Sequence, residues 1–197
     1  STGRPRRRRR AIPVDARLRP LAAHAEFAAN LNAYAWMWKD HSAMAEAVEI
    51  TDAAGKYNPA MLQHCGGSYS SEWYWSKLLH CARVDHAVFE AAFAWLDFPD
   101  FIPVVLGGIE RLDDVRPGIC AAGHKALYGE GWGGYPAVEF FTGLSPELAT
   151  MRGRMTCRAV ASDTVAARLS PGWADRLGLP AGIPIAAGLI DAHAGAV

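Results

Sequence analysis

Residues 183–190, Ile-Pro-Ile-Ala-Ala-Gly-Leu-Ile, form an apolar run that reaches one carboxylate, Asp191, and then breaks into small residues. A short apolar run bounded by turn formers predicts a strand covered on both faces. In open α/β sheets, ligands gather at the carboxyl ends of such strands. A charge placed there is costly unless it is used or paired. Asp191 therefore has two readings. It is either the cap of a helix over residues 192–197, or a functional carboxylate at a strand end. The run alone leaves both open.

Composition limits what can surround that strand. The 197 residues are 51% hydrophobic and 20% charged, which predicts one globular domain, or part of one, and excludes a disordered chain. Formal net charge is zero, so there is no general pull toward nucleic acid or an anionic membrane. No apolar stretch reaches the roughly eighteen residues of a bilayer-spanning helix. The sequence starts without Met or an apolar signal core, which suggests a piece of a longer, cytoplasmic protein. Cys65, Cys81, Cys120 and Cys157 are far apart and make no C-x-x-C pair. That spacing predicts idle thiols in a reducing compartment and no metal site. The arginines at 4 and 6–10 lack interleaved aromatics, so they read as a solvated loop before a short strand at 11–15.

Local signals then mark out helices. Ser42 caps a predicted helix with Met44, Ala47, Val48 and Thr51 as its apolar stripe and Gly55 at its end. After Gly66-Gly67, Ser70 caps a helix through Cys81 whose inner face is Tyr74, Leu78 and Cys81. Asp85 opens another, with Val88, Ala91, Ala92 and Trp95 as its stripe. Pro103 argues against a central strand at 101–106 and favours a short helix closed by Gly107-Gly108. Pro136 starts a helix over Val138, Phe140, Phe141 and Leu144, and Ser145-Pro146-Glu147 caps the next. Residues 156–167 predict a loop or edge strand. Residues 170–180 carry a serine, a proline at the first helical position and a closing Gly178.

Two places hold polar groups where they are unusual. Trp36-Met37-Trp38-Lys39-Asp40-His41 packs large aromatics against hydrogen-bonding side chains, so its end faces a polar ligand or carries an ordinary exposed ion pair. In Ala121-Ala122-Gly123-His124-Lys125-Ala126-Leu127, a lysine sits among apolar neighbours. A buried lysine needs a partner, or a bound anion or hydroxyl; the alternative is a side chain that snorkels to solvent.

Taken in order, several stretches resemble the FGGY carbohydrate kinases. They are Ser1-Thr2-Gly3, Pro13-Val14-Asp15, Glu26-Phe27, Asn32-Ala33, Trp38-Lys39-Asp40-His41 and Tyr69-Ser70-Ser71-Glu72-Trp73. They continue with Ala121-Ala122-Gly123-His124-Lys125, Gly131-Trp132-Gly133-Gly134, Trp173-Ala174-Asp175-Arg176-Leu177-Gly178-Leu179-Pro180 and Asp191-Ala192-His193. Within the family they look most like the enzymes that act on L-ribulose. The resemblance implies an α/β, actin-like or ribonuclease-H-like kinase domain, partial, with helical additions. It implies transfer of the γ-phosphoryl group of Mg-ATP to the 5-hydroxyl of L-ribulose, as in L-arabinose catabolism. D-ribulose or xylulose remain alternative substrates, and a non-catalytic sugar-binding module is the alternative function. The family's base falls on Asp191, and its sugar contacts fall on Gly3, Trp38 and Lys125. Lys77 matches a signature lysine and reads as structural. On this reading residues 1–197 are part of the sugar-binding domain. An N-terminal phosphate-binding hairpin and a C-terminal ATP domain would lie elsewhere, leaving this piece inactive alone; a homodimer is possible. The arginine run stands as an insertion beside Gly3.

Overall fold

A computed structural model describes residues 11–34, 42–155 and 157–195. Gly3, Trp38, the arginine run and the Lys39-Asp40-His41 edge lie outside the described residues.

The predicted first strand is β1 (Ala11–Val14), and every residue in it is buried. Asp15 then makes the expected turn: its carboxylate accepts the N–H groups of Arg17 and Arg19 and pairs with the Arg19 guanidinium. Helix α1 (Met44–Tyr57) buries Ala47, Ile50 and Ala54, with Met44 and Val48 on the outside. The stripe is thus rotated from the predicted one, because Ile50 and Ala54 complete a continuous apolar row that Val48 does not. Glu46 is drawn in with them, facing Arg83 and His80 from the next helix. Gly55 does not stop α1, which ends where Asn58 caps the 3-10 turn Pro59–Cys65.

Helix α2 (Tyr74–Val84) carries Tyr74, Leu78 and Cys81 inward as expected, and also buries Trp75, Leu79 and Lys77. A helix buried on nearly all sides is one surrounded by core. Asp85 caps α3 (His86–Ala91) by accepting the Val88 N–H. That helix stops short of Trp95. The Phe93 N–H goes to Val14 O, and residues 94–97 become β2 (Ala94–Asp97), antiparallel to β1 with Ala11 opposite Asp97 and Val14 opposite Ala94. Helix α4 (Phe98–Gly107) follows at once, with Asp97 as its cap and Gly108 in the left-handed conformation at its end.

Three further helices close over this frame: α5 (Ile119–Ala126), α6 (Val138–Thr142) and α7 (Pro146–Gly153), the last capped by Ser145. An edge strand, β3 (Val165–Arg168), precedes α8 (Pro171–Leu177). The strand expected across 183–190 is only β4 (Pro184–Ala186), antiparallel to β3, with Pro184 and Ala186 exposed. It is not covered on both faces, because among the described residues it has one partner strand and no helix over its outer side. Residues 187–190 instead run over α4 and α5 into α9 (Asp191–Ala194). The larger core gathers α1, α2 and α6 around Trp75, Ile50 and Phe141; a smaller one packs β1 and β2 on α4 through Val14, Leu96 and Val104. Among the described residues no helix is long and apolar enough to cross a membrane.

Candidate functional site

The site is organised by α5. Its small residues Ala121, Ala122 and Ala126 let it lie close against the core. Its start is fixed by Gly118, whose N–H donates to Asp100 Oδ1 at 2.8 Å, and by the Ile119 N–H on Val160 O. Its final carbonyls, exposed by the end of any helix, are taken by side chains. The Tyr69 hydroxyl donates to Lys125 O, and Trp75 Nε1 donates to Ala126 O at 2.9 Å. The helix is gripped at both ends.

On its inner side the Lys125 ammonium donates to Asp97 Oδ2 at 2.8 Å, with both side chains only 9% exposed. Lys125 is therefore buried and paired; it does not snorkel. Asp100 lies one turn along α4 and is also buried. Burial, and then the charge on Asp97, push its carboxyl up to about 8, against the pull of the Gly118 N–H and Lys125. Asp97 thus carries the charge of this carboxyl pair and Asp100 the proton. Together with Tyr74, Trp95 and Tyr135 these three line a cavity of about 40 Å³. The Trp95 indole N–H is buried there without a hydrogen-bond partner.

On its outer side α5 borders an open groove of about 480 Å³, bounded by Cys120 and His124, by Glu130 and by His193 of α9. Rings lead from the core up to it in sequence: Tyr69 on Trp73, Trp73 on His124 at 4.8 Å, and His124 facing His193 at 6.1 Å. Asp191 is the first residue of α9, exposed, with Oδ1 accepting the Ala192 N–H at 3.0 Å. Its cap is Ile190, so Asp191 sits inside the helix start and is not the cap residue. The structure thus brings Lys125 together with Asp97 and Asp100, and the helix of Asp191 against the other flank of α5.

Sequence reasoning missed Asp97 and Asp100. The available signal was two carboxylates three apart in the apolar stretch Trp95-Leu96-Asp97-Phe98-Pro99-Asp100-Phe101, opposite one apolar-flanked lysine. Among the described residues no group of three His, Cys, Asp or Glu side chains could hold a metal ion. None of the four cysteines is in a disulfide, and burial pushes the thiols of Cys65 and Cys81 up.

The fold is that of the sugar kinases. Over 93% of its length the chain superimposes on about a third of a xylulose kinase from Lactobacillus acidophilus, with a TM-score of 0.65 at 12% identity. A xylulose kinase from Rhodospirillum rubrum matches 95% of the chain and 33% of its own, with a TM-score of 0.64 at 18% identity. No family model matches the sequence. Individual sequences do. The chain is 43% identical to the ribulokinase of Vibrio parahaemolyticus over 187 residues, 94% of this chain and 33% of that protein. It is 33% identical to a ribulokinase of Mycolicibacterium smegmatis over 88% of its length and 30% of that protein's. In sequence the chain is similar to ribulokinases, whose length it spans by about a third.

Proposed function

We propose that the protein carrying this sequence is a carbohydrate kinase that phosphorylates L-ribulose at its 5-hydroxyl with Mg-ATP. The observation that carries this reading is the 43% identity to a ribulokinase across nearly the whole chain. Asp191 is the general base in this scheme. A sugar hydroxyl is a poor nucleophile until a positioned carboxylate accepts its proton. As the 5-oxygen forms its bond to the γ-phosphorus, the bond to the ADP oxygen breaks and the hydroxyl proton passes to Asp191. The exposure of Asp191 supports this, since a base must be open to its substrate. Lys125 holds the sugar through hydroxyl groups. Its ammonium is held on Asp97 in a cavity of about 40 Å³ on the side of α5 away from Asp191, so contact with a sugar requires it to turn out of that pair. Trp38 and Gly3 complete the sugar contacts on the same reading. Residues 1–197 form part of the sugar-binding domain, and the ATP site belongs to portions of the protein outside them. Phosphoryl transfer then depends on bringing the two sites into line.

The test is ADP release by the complete protein with L-ribulose, D-ribulose and D-xylulose in parallel. Turnover is expected with L-ribulose and reduced by about 10²–10⁴-fold in Asp191→Asn with the circular dichroism spectrum unchanged. Normal turnover in that variant removes Asp191 from the role of base, and turnover with D-xylulose alone reassigns the substrate.

A further inference from the structure

One indole N–H of the core is left over. Trp95 is 3% exposed and shares a face of β2 with Asp97, since alternate residues of a strand point the same way. Its Nε1 is buried and has no hydrogen-bond partner among the described residues. Folded interiors rarely leave a buried donor unpaired, because its lost hydration is then not replaced. Trp95 belongs to the wall of the cavity of about 40 Å³, together with Tyr74, Asp100 and Tyr135.

The polar groups of that wall are mostly donors. The Tyr74 hydroxyl gives its proton to Trp95 O at 2.8 Å and keeps a lone pair. One Asp100 oxygen takes the Gly118 N–H, and the carboxyl, pushed up to about 8, holds a proton on the group that remains. Burial pushes the Tyr135 hydroxyl up as well, so it too keeps its proton. What such a wall lacks is a small group that both accepts and donates. Water does both, and a buried water typically makes about three hydrogen bonds. One water needs on the order of 10–15 Å³ of such space, so the cavity has room for a water beside Trp95 and another beside Asp100, and none for a sugar or a nucleotide. Charge does not call for an ion. Lys125 and Asp97 pair with each other, and the guanidinium of exposed Arg154 is turned to the carbonyls of Ala92 and Phe93.

We infer that this cavity is an internal hydration site, holding ordered water that accepts the Trp95 indole N–H and bridges it to Asp100 and the tyrosine hydroxyls. The water joins β2, the first turn of α4 and the segment of Tyr135 in one polar network. The inference stands apart from the kinase reading, since it concerns the inner side of α5 alone.

The test is a crystal structure of the complete protein that resolves ordered solvent, with a second crystal pressurised with xenon. Solvent density is expected about 2.7–3.2 Å from Trp95 Nε1. No xenon is expected in the cavity, because dry apolar cavities are the ones that take it. In solution, the Trp95 indole proton is expected to show water cross-peaks of opposite sign in NOE and ROE spectra, the mark of a water held longer than the protein takes to tumble. Trp95→Phe, which keeps a ring and removes the donor, is expected to lose the density nearest residue 95. The wild-type measurements decide alone if that variant does not fold. Xenon in the cavity, a chloride identified there by anomalous scattering, or no solvent density within reach of Nε1 overturns the inference. Density unchanged in Trp95→Phe overturns it too, since the indole is then not what holds the water.

Discussion

Two carboxylates three residues apart behave as opposites because of what faces them. Asp97 meets an ammonium, whereas Asp100 meets a backbone N–H and the charge of Asp97. The second arrangement has a consequence for stability. The native Asp100 carboxyl keeps its proton up to about pH 8, while the unfolded chain releases it near the ordinary value of 3.8. Between those values the unfolded state binds fewer protons, so this residue's contribution to stability falls as pH rises and levels off above the native value. Asp100→Asn keeps the shape, stays neutral throughout and lacks that loss. Urea midpoints of the two proteins should diverge in favour of the variant between about pH 4 and pH 8. Parallel curves would place the proton elsewhere. Lys125 was legible in the sequence because a lysine among alanines is a local anomaly. Its partner was not, since nothing within a few residues of Asp97 records that a strand end and a distant helix meet there. For Asp191 the sequence left a cap and a strand-end carboxylate both open. Its place as first residue of α9, with the carboxylate on the next N–H, shows why short-range pattern could not separate them.

Among the elements, those closed by their own residues were the ones that could be read in advance. The caps of α3 and α7, and the left-handed glycine ending α4, need only a few neighbouring side chains. β2 needs β1, from far along the chain, and so its residues looked like the continuation of a helix. The inward face of α1 also depends on its neighbours, because Glu46 is tolerated inside only beside Arg83 and His80. Asp85 combines a local with a distant role. Burial alone would raise its carboxyl, but the amides of Asn32 and Asn30 and the Val88 N–H hold it below the usual carboxylate range. Asp85→Ala removes the cap and leaves two amides without their acceptor. A loss of about 1–2 kcal/mol is expected in urea titrations at neutral pH. The same titration at a pH below the lowered native value should show a smaller difference, since native wild-type Asp85 is then protonated. Equal losses at both pH values would mean that the carboxylate charge contributes nothing to the cap.

At the scale of the whole molecule, the piece that bears Asp191 reaches α5 through bare backbone. A side chain on Gly188 would strike the backbone of Pro99, and one on Gly118 would strike Gly188. Gly188→Ala should therefore cost about 1–3 kcal/mol through overpacking, read as a lower Tm with the fold retained. Gly172→Ala, at a helical position with open space around it, provides the matched control. A Gly188→Ala protein as stable as that control would show that the segment can lift away freely. The general architecture was legible from motif order, but this crossing was not, because a glycine reports only that something can come close and not what does. Side chains in a packed interface slide and re-seat as the elements behind them shift; three touching main chains have nothing to re-seat. The first turn of α4, the start of α5 and the approach to Asp191 must then travel as one rigid block. Any bending of the chain has to occur outside that block, and the amides of Ile119 and Ala187, bonded to Val160 and Thr164 at its border, should exchange with deuterium at a common rate.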